Sequence, residues 1–187
     1  GPICCNGIGK EVYWKSLIEG KSNIDRITLF DPTPFPSKVA GEVKNFNPSD
    51  FMDRKEAKRM DRFTQFAVAA TILALEDASL TIKDEISDRV GVLVGSGIGG
   101  LTTLEQQYNI MIKKGPDKVS PFFIPMLIAN MASGFISIIY KARGPNYTIV
   151  TACATGAHCI GESYSIIKRG LADIMIAGGS DAAITPM

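Results

Sequence analysis

Two spacings of apolar residues alternate along the chain. Lys10 to Glu19 (KEVYWKSLIE) has helical spacing and is closed by Gly20. The proline-rich Asp31 to Pro36 reads as a loop, and Lys38 to Val43 as a short strand. Asp53 is placed to cap "RKEAKRM". After Asp61, apolar residues at Phe63, Phe66, Ala67, Ala70 and Ala74 predict a longer helix buried along that stripe. Arg89 to Val94 predicts a strand, and Leu101 to Lys113 a helix stopped by Gly115-Pro116. Then come an apolar helix, Met126 to Tyr140, and a strand, Thr148 to Ala152. A helix from about Ala154 to Arg169, ended by Gly170, leads into a buried strand, Asp173 to Ala177. Strands alternating with helices predict an α/β protein whose largely parallel sheet is covered by helices on both faces.

Composition narrows this little. The 187 residues suffice for one domain with a sizeable core, and a formal net charge of +1 gives no general reason to expect nucleic acid. No apolar run is long enough to cross a bilayer, so no membrane is expected. The opening "GPICCNGIGK" reads as a turn with no strand before it, and "GGSDAAITPM" stops in mid-course. The expectation is a single domain, residues 1–187, truncated at both ends. Cys4, Cys5, Cys153 and Cys159 form neither a CxxC pair nor a metal-ligand spacing, so no metal is expected and a reducing cytoplasm is.

Gly95, Gly97 and Gly100 in "VLVGSGIGG" match G-x-G-x-x-G between a strand and a helix. A dinucleotide site also needs a strand ending in Asp or Glu about 20 residues on. That distance holds "PDKVSPFFIP", whose prolines disfavour a central strand, and Asp117 precedes it. The better reading is a tight turn for close backbone approach beside an apolar ligand, with Ile98 at its tip touching that ligand.

"TIVTACATGAH" puts Cys153 on the seam between a strand and a helix. A helix N-terminus offers partial positive charge to a thiolate, and the Cys153 amide can serve as half of an oxyanion hole. Small neighbours, Ala152, Ala154 and Gly156, leave room for a substrate. A buried core cysteine is the competing reading. His158 lies five residues on, roughly 140° around a helix from Cys153, so it reads as structural, and Cys159 as packing. A cysteine nucleophile also needs a basic or electrostatic partner, which this chain with its one histidine does not offer. Arg54, Lys58 and Arg62 repeat at i, i+4, i+8 beside Lys55 and Arg59. They make either a positive patch or a solvated face diluted by Asp53, Glu56 and Asp61.

Together "GPNYTIVTACATGAH", "GSGIGG", "VSPFFIP", "DRKEAKRMDRF" and "ADIMIAGGSDAAITP" resemble the N-terminal half of the type II β-ketoacyl-acyl carrier protein synthases. These are condensing enzymes of bacterial fatty-acid synthesis with the thiolase-like fold. The likeness covers nearly the whole chain, although "ICCNG" departs from the family's opening turn. It implies that Cys153 is the acylated nucleophile and that Ile98, Phe123 and Ala152 line acyl pockets, Phe123 that of a neighbouring subunit. It further implies docking of acyl carrier protein at Lys55, Lys58 and Arg59, a homodimer, no cofactor, and two histidines and a lysine in an absent C-terminal half. The chain alone is therefore expected to be inactive. A polyketide-type ketosynthase, a thiolase and a non-catalytic subunit of the same fold are the alternatives.

Overall fold

In the computed structural model, which describes residues 1–187, the opening stretch is a small hairpin. Ile3–Cys4 (β1) pairs antiparallel with Gly7–Ile8 (β2), so a strand exists where the sequence reads as a bare turn. Helix α1, Lys10–Ile18, follows. Asp25–Arg26 (β3) pairs with Val39–Ala40 (β4) across the proline-rich loop. The expected strand Lys38 to Val43 shrinks to two residues for a local reason. Beyond Ala40 the Glu42 carboxylate, buried, accepts from Thr28 N, Thr28 Oγ1 and Leu29 N, replacing the backbone ladder.

Asp53 caps helix α2, Arg54–Ala57, by accepting from Lys55 N and Glu56 N. The helix stops there, and Asp61 caps a second one, α3, Arg62–Asp77, through Phe63 N. The other oxygen of this buried carboxylate takes Thr103 N and Thr103 Oγ1, tying α3 to a later helix. Phe63, Phe66 and Ala67 are buried as expected, but so are Thr64, Val68, Ala69 and Thr71, while Ala74 is exposed. The N-terminal half of α3 lies between two apolar clusters and the far end outruns both.

A one-turn helix, Asp84–Ser87 (α4), leads into β5, Val90–Gly95, which is buried throughout. Leu101–Lys114 (α5) follows. The single apolar helix expected from Met126 to Tyr140 is two helices, Phe123–Leu127 (α6) and Met131–Tyr140 (α7). Ile128 is extended between them, and the Leu127 carbonyl accepts from Gly100 N at 2.8 Å rather than continuing the helix.

Residues 144–146 run beside β5, with one parallel bridge, Val92 to Asn146, and a Val92 N to Pro145 O bond. Past that point the expected strand Thr148 to Ala152 is not a strand. Val94 N donates to Ser133 Oγ, and Val94 O accepts from Ser133 Oγ and Thr148 Oγ1, so side chains satisfy the edge a strand would have used. A single 3₁₀ turn, Ala152–Ala154, opens α8, Thr155–Lys168. The last strand, β6, Ile174–Gly179, pairs parallel with β5 from Val90↔Ile174 to Gly95↔Gly179. It is part-exposed, not buried.

The α/β expectation holds, with helices on both faces of a parallel ladder. Val90, Val92 and Val94 pack on α3 and α7, and the opposite face meets α8 at Thr155 and Cys159. The ladder itself is two strands wide plus the bridge.

Candidate active site

The C-terminal ends of parallel strands are where α/β folds bind ligands, because strand-to-helix turns gather there. Three turns meet at that end here: Ser96–Gly100 after β5, Thr151–Ala154 before α8, and Ser180–Asp181 after β6. Glycines let them come close. A Cβ at Gly97 would sit 3.3 Å from Ala152 Cα, and one at Gly100 would sit 2.2 Å from Met126 O.

Cys153 occupies the middle of the 3₁₀ turn and is exposed, so the core-cysteine reading does not apply to it. Cys159, on the buried face of α8, is the packing cysteine. Ala152 has φ of 51°, a left-handed conformation that is uncommon for a residue with a side chain. It turns the chain sharply so that Cys153 stands at the head of α8, which has no side-chain cap to compete for its first amides. The turn is tied from within: Thr151 N donates to Thr155 Oγ1 at 2.9 Å, and Ala154 N to Thr151 O at 3.1 Å. His158 Nδ1 is 2.6 Å from Thr151 Oγ1, a hydrogen bond that occupies it in holding the turn.

The glycine turn is closed by a residue that the sequence reading passed over. Asp181 accepts from Ser96 Oγ at 2.8 Å, Gly97 N at 3.0 Å and Ile98 N at 3.3 Å. The amides that a pyrophosphate would need are thus already bound to a carboxylate, which speaks against the dinucleotide reading. A polar residue just past a strand was the available signal, but its target lies far away in the chain.

Of the other candidates, Ala152 adjoins Cys153, and Ile98 follows Gly97, whose Cβ position lies against Ala152. Ile98 is 56% exposed, so residues 1–187 build no closed apolar cavity around it. Phe123 is half-buried at the start of α6, whose far end supports the glycine turn. Lys55, Lys58 and Arg59 are exposed, and the Arg59 guanidinium lies 4.9 Å from the Phe122 ring centroid. Arg62 leaves that face, correcting the i, i+4, i+8 stripe. With α2 ending at Ala57, Arg62 turns inward, donates to Val43 O and stacks over Phe66 and Phe46. Burial lowers its guanidinium from the ordinary value. No three His, Cys, Asp or Glu side chains converge as metal ligands. No helix is long and apolar enough to cross a membrane.

The model of the β-ketoacyl synthase N-terminal domain matches residues 1–187. The chain is 52% identical over 182 residues to 3-oxoacyl-[acyl-carrier-protein] synthase 2 of Staphylococcus aureus, covering 96% of this chain and 44% of that protein. It is 51% identical over 187 residues to the protein of the same name from Synechocystis, covering all of this chain and 45% of the relative. The chain therefore spans about half the length of these relatives. Among solved structures, the ishigamide ketosynthase/chain length factor superposes with TM-score 0.87 at 30% identity, over 97% of this chain and 45% of that one. A β-ketoacyl synthase from Burkholderia phymatum does so with TM-score 0.81 at 26% identity, over 98% and 46%.

Proposed function

Since this chain belongs to the β-ketoacyl synthase family through its N-terminal domain, we propose that the complete protein is a type II condensing enzyme of fatty-acid elongation. The observation that carries this reading is the exposed Cys153 at the head of α8. The relatives' name, 3-oxoacyl-[acyl-carrier-protein] synthase 2, supports acyl carrier protein as donor. The Cys153 thiolate attacks the acyl thioester, an S–C bond forms, and the carrier's sulfur departs and takes a proton. A malonyl-carrier then loses CO₂, and its enolate attacks the acyl-cysteine. The β-ketoacyl product is two carbons longer, and Cys153 is released as thiolate. Backbone amides at the head of α8 stabilise the oxyanion of the first step. His158 serves the turn, so the proton transfers of condensation belong to the rest of the complete protein.

Incubating the complete protein with acyl-carrier or with acyl-coenzyme A, and mapping the adduct by mass spectrometry, tests this. Acylation of Cys153 from the carrier is expected. Preference for coenzyme A would favour the thiolase alternative, and label on Cys4 or Cys159 would overturn the assignment. The protein is read as cytoplasmic and homodimeric. The apolar side chains that α8 leaves outside, Ile160 and Tyr164, support the second point, and Phe123 then contributes to a neighbour's acyl pocket.

Carrier docking is assigned to Lys55, Lys58 and Arg59. Neither lysine is in an ion pair, so both are available to an acidic partner. Exposed charge pairs contribute up to about 1 kcal/mol each. Reversing Lys55 and Lys58 to Glu should raise the KM for acyl-carrier about tenfold and flatten its salt dependence. KM for a small thioester should stay unchanged; equal loss toward both donors would indicate folding damage instead.

Ile98 and Ala152 are assigned to the acyl pocket. An exposed β-branched side chain on the turn that packs against Ala152 has a reason to be there if the complete protein or its substrate covers it. Replacing Ile98 by Phe should cost long acyl chains more than short ones. About 1.4 kcal/mol of difference appears as about a tenfold change in the ratio of their kcat/KM values. Lowered thermal stability with an unchanged ratio would mean that Ile98 only packs the turn.

A further inference from the structure

The Ser96–Gly99 turn is built around an anion that the protein supplies itself. The Gly95↔Gly179 pair ends the β5–β6 ladder, and Asp181 follows two residues later, close enough to reach across. Its Oδ1 takes three donors, Ser96 Oγ, Gly97 N and Ile98 N, and Oδ2 is 3.3 Å from Gly97 N. Ser96 is fully buried, and its hydroxyl oxygen accepts from Gly99 N at 2.9 Å, passing the hold one residue further. One carboxylate therefore fixes every residue of the turn from Ser96 to Gly99.

The back of that turn is the surface on which the cysteine turn rests. A Cβ at Gly97 would meet Ala152 at its Cα, carbonyl carbon and carbonyl oxygen, all within 3.5 Å. Ala152 is held left-handed, and a non-glycine residue keeps such a conformation only where its surroundings over-determine it. The surroundings here are Gly97 on one side and the Thr151 N to Thr155 Oγ1 bond on the other.

We propose that Asp181 is a positioning residue for the Cys153 thiol, acting through the glycine turn and Ala152. Its importance for turnover rests on the function proposed above; its effect on the thiol does not. Without the carboxylate the Gly97 and Ile98 amides and the Ser96 hydroxyl lose their shared acceptor. The turn then withdraws from Ala152, Ala152 relaxes toward extended backbone, and Cys153 swings off the head of α8, away from the uncapped amides of its first turn.

The test uses the complete protein with Asp181→Ala and Asp181→Asn, treated with iodoacetamide. Alkylation of each cysteine is followed by mass spectrometry, with Cys4 and Cys5 as references inside the same molecule. Asp181→Ala is expected to slow Cys153 about tenfold relative to Cys4 and Cys5 and to lower kcat, with KM for acyl-carrier within about twofold of wild type. Asp181→Asn keeps an acceptor oxygen and should recover most of the rate. If Asp181→Ala does not fold, Ser96→Ala, which removes one donor and the relay to Gly99, is measured in its place and should slow Cys153 in the same selective way. An unchanged Cys153-to-Cys4 ratio in a folded variant overturns the proposal, as does an Asn variant no faster than the Ala one. Alkylation needs no carrier protein. A wild type that takes no acyl group would therefore overturn the proposed function and leave this comparison standing.

Discussion

If Cys153 is the nucleophile of the proposed reaction, replacing it by Ser in the complete protein should lower acyl transfer from the carrier by at least about 10³-fold, the scale on which removing a nucleophile acts. A serine hydroxyl becomes a nucleophile only with a general base beside it, and no base in this chain is placed to help. His158, the one histidine, has its Nδ1 engaged by Thr151 Oγ1. Because Cys153 is exposed, the exchange removes no core contact, and stability should stay within about 0.5 kcal/mol of wild type. Product formation and acyl-enzyme mass are measured together with thermal unfolding. Retained acyl transfer would move the nucleophile elsewhere, and a large loss of stability would make Cys153 a structural residue.

Replacing Gly95 by Ala should damage the fold itself. The added methyl would lie 2.3 Å from Thr155 Cγ2, 2.4 Å from Ile149 O and 3.0 Å from Cys159 Sγ. The first and last belong to α8 and the second is backbone outside it, so relief requires moving both the head of α8 and the chain at Ile149 away from the sheet. Overpacking of this kind costs about 3 kcal/mol, the upper end of its usual range. It should also slow Cys153 alkylation, because the thiol sits in the turn that opens the helix that moves. Gly161 is the control: a methyl there meets nothing within 4 Å, and Ala in a helix gains up to about 1 kcal/mol over Gly. Urea midpoints of the two variants should therefore move in opposite directions. A Gly95→Ala midpoint equal to wild type would mean that α8 is not packed against β5 as described.

Features set by neighbours within a few residues were legible in the sequence. Asp53 and Asp61 cap helices because a short carboxylate reaches amides two or three positions on. Gly115-Pro116 stops α5, and Cys153 lies at the seam before α8, since small residues after β-branched ones determine where a helix can begin. The resemblance carried by "TACATG" and "GSGIGG" also needed only the string of residues. What went unread depends on segments that meet only once the chain is folded. The break between α6 and α7 is made by Gly100 N, which diverts the Leu127 carbonyl. The expected strand Thr148 to Ala152 is lost because Ser133 and Thr148 side chains fill the edge of Val94. Arg62 leaves the basic face because Val43 O and two phenylalanine rings give its guanidinium a better place. Asp181 lies 84 residues from the Gly97 amide it holds, and nothing in either local sequence names the other. Caps and turns are decided by bonds along the chain, and a sequence states those directly. Ladder edges, glycine clearances and buried carboxylates depend on donors and acceptors brought together by packing, so only the tertiary structure decides them.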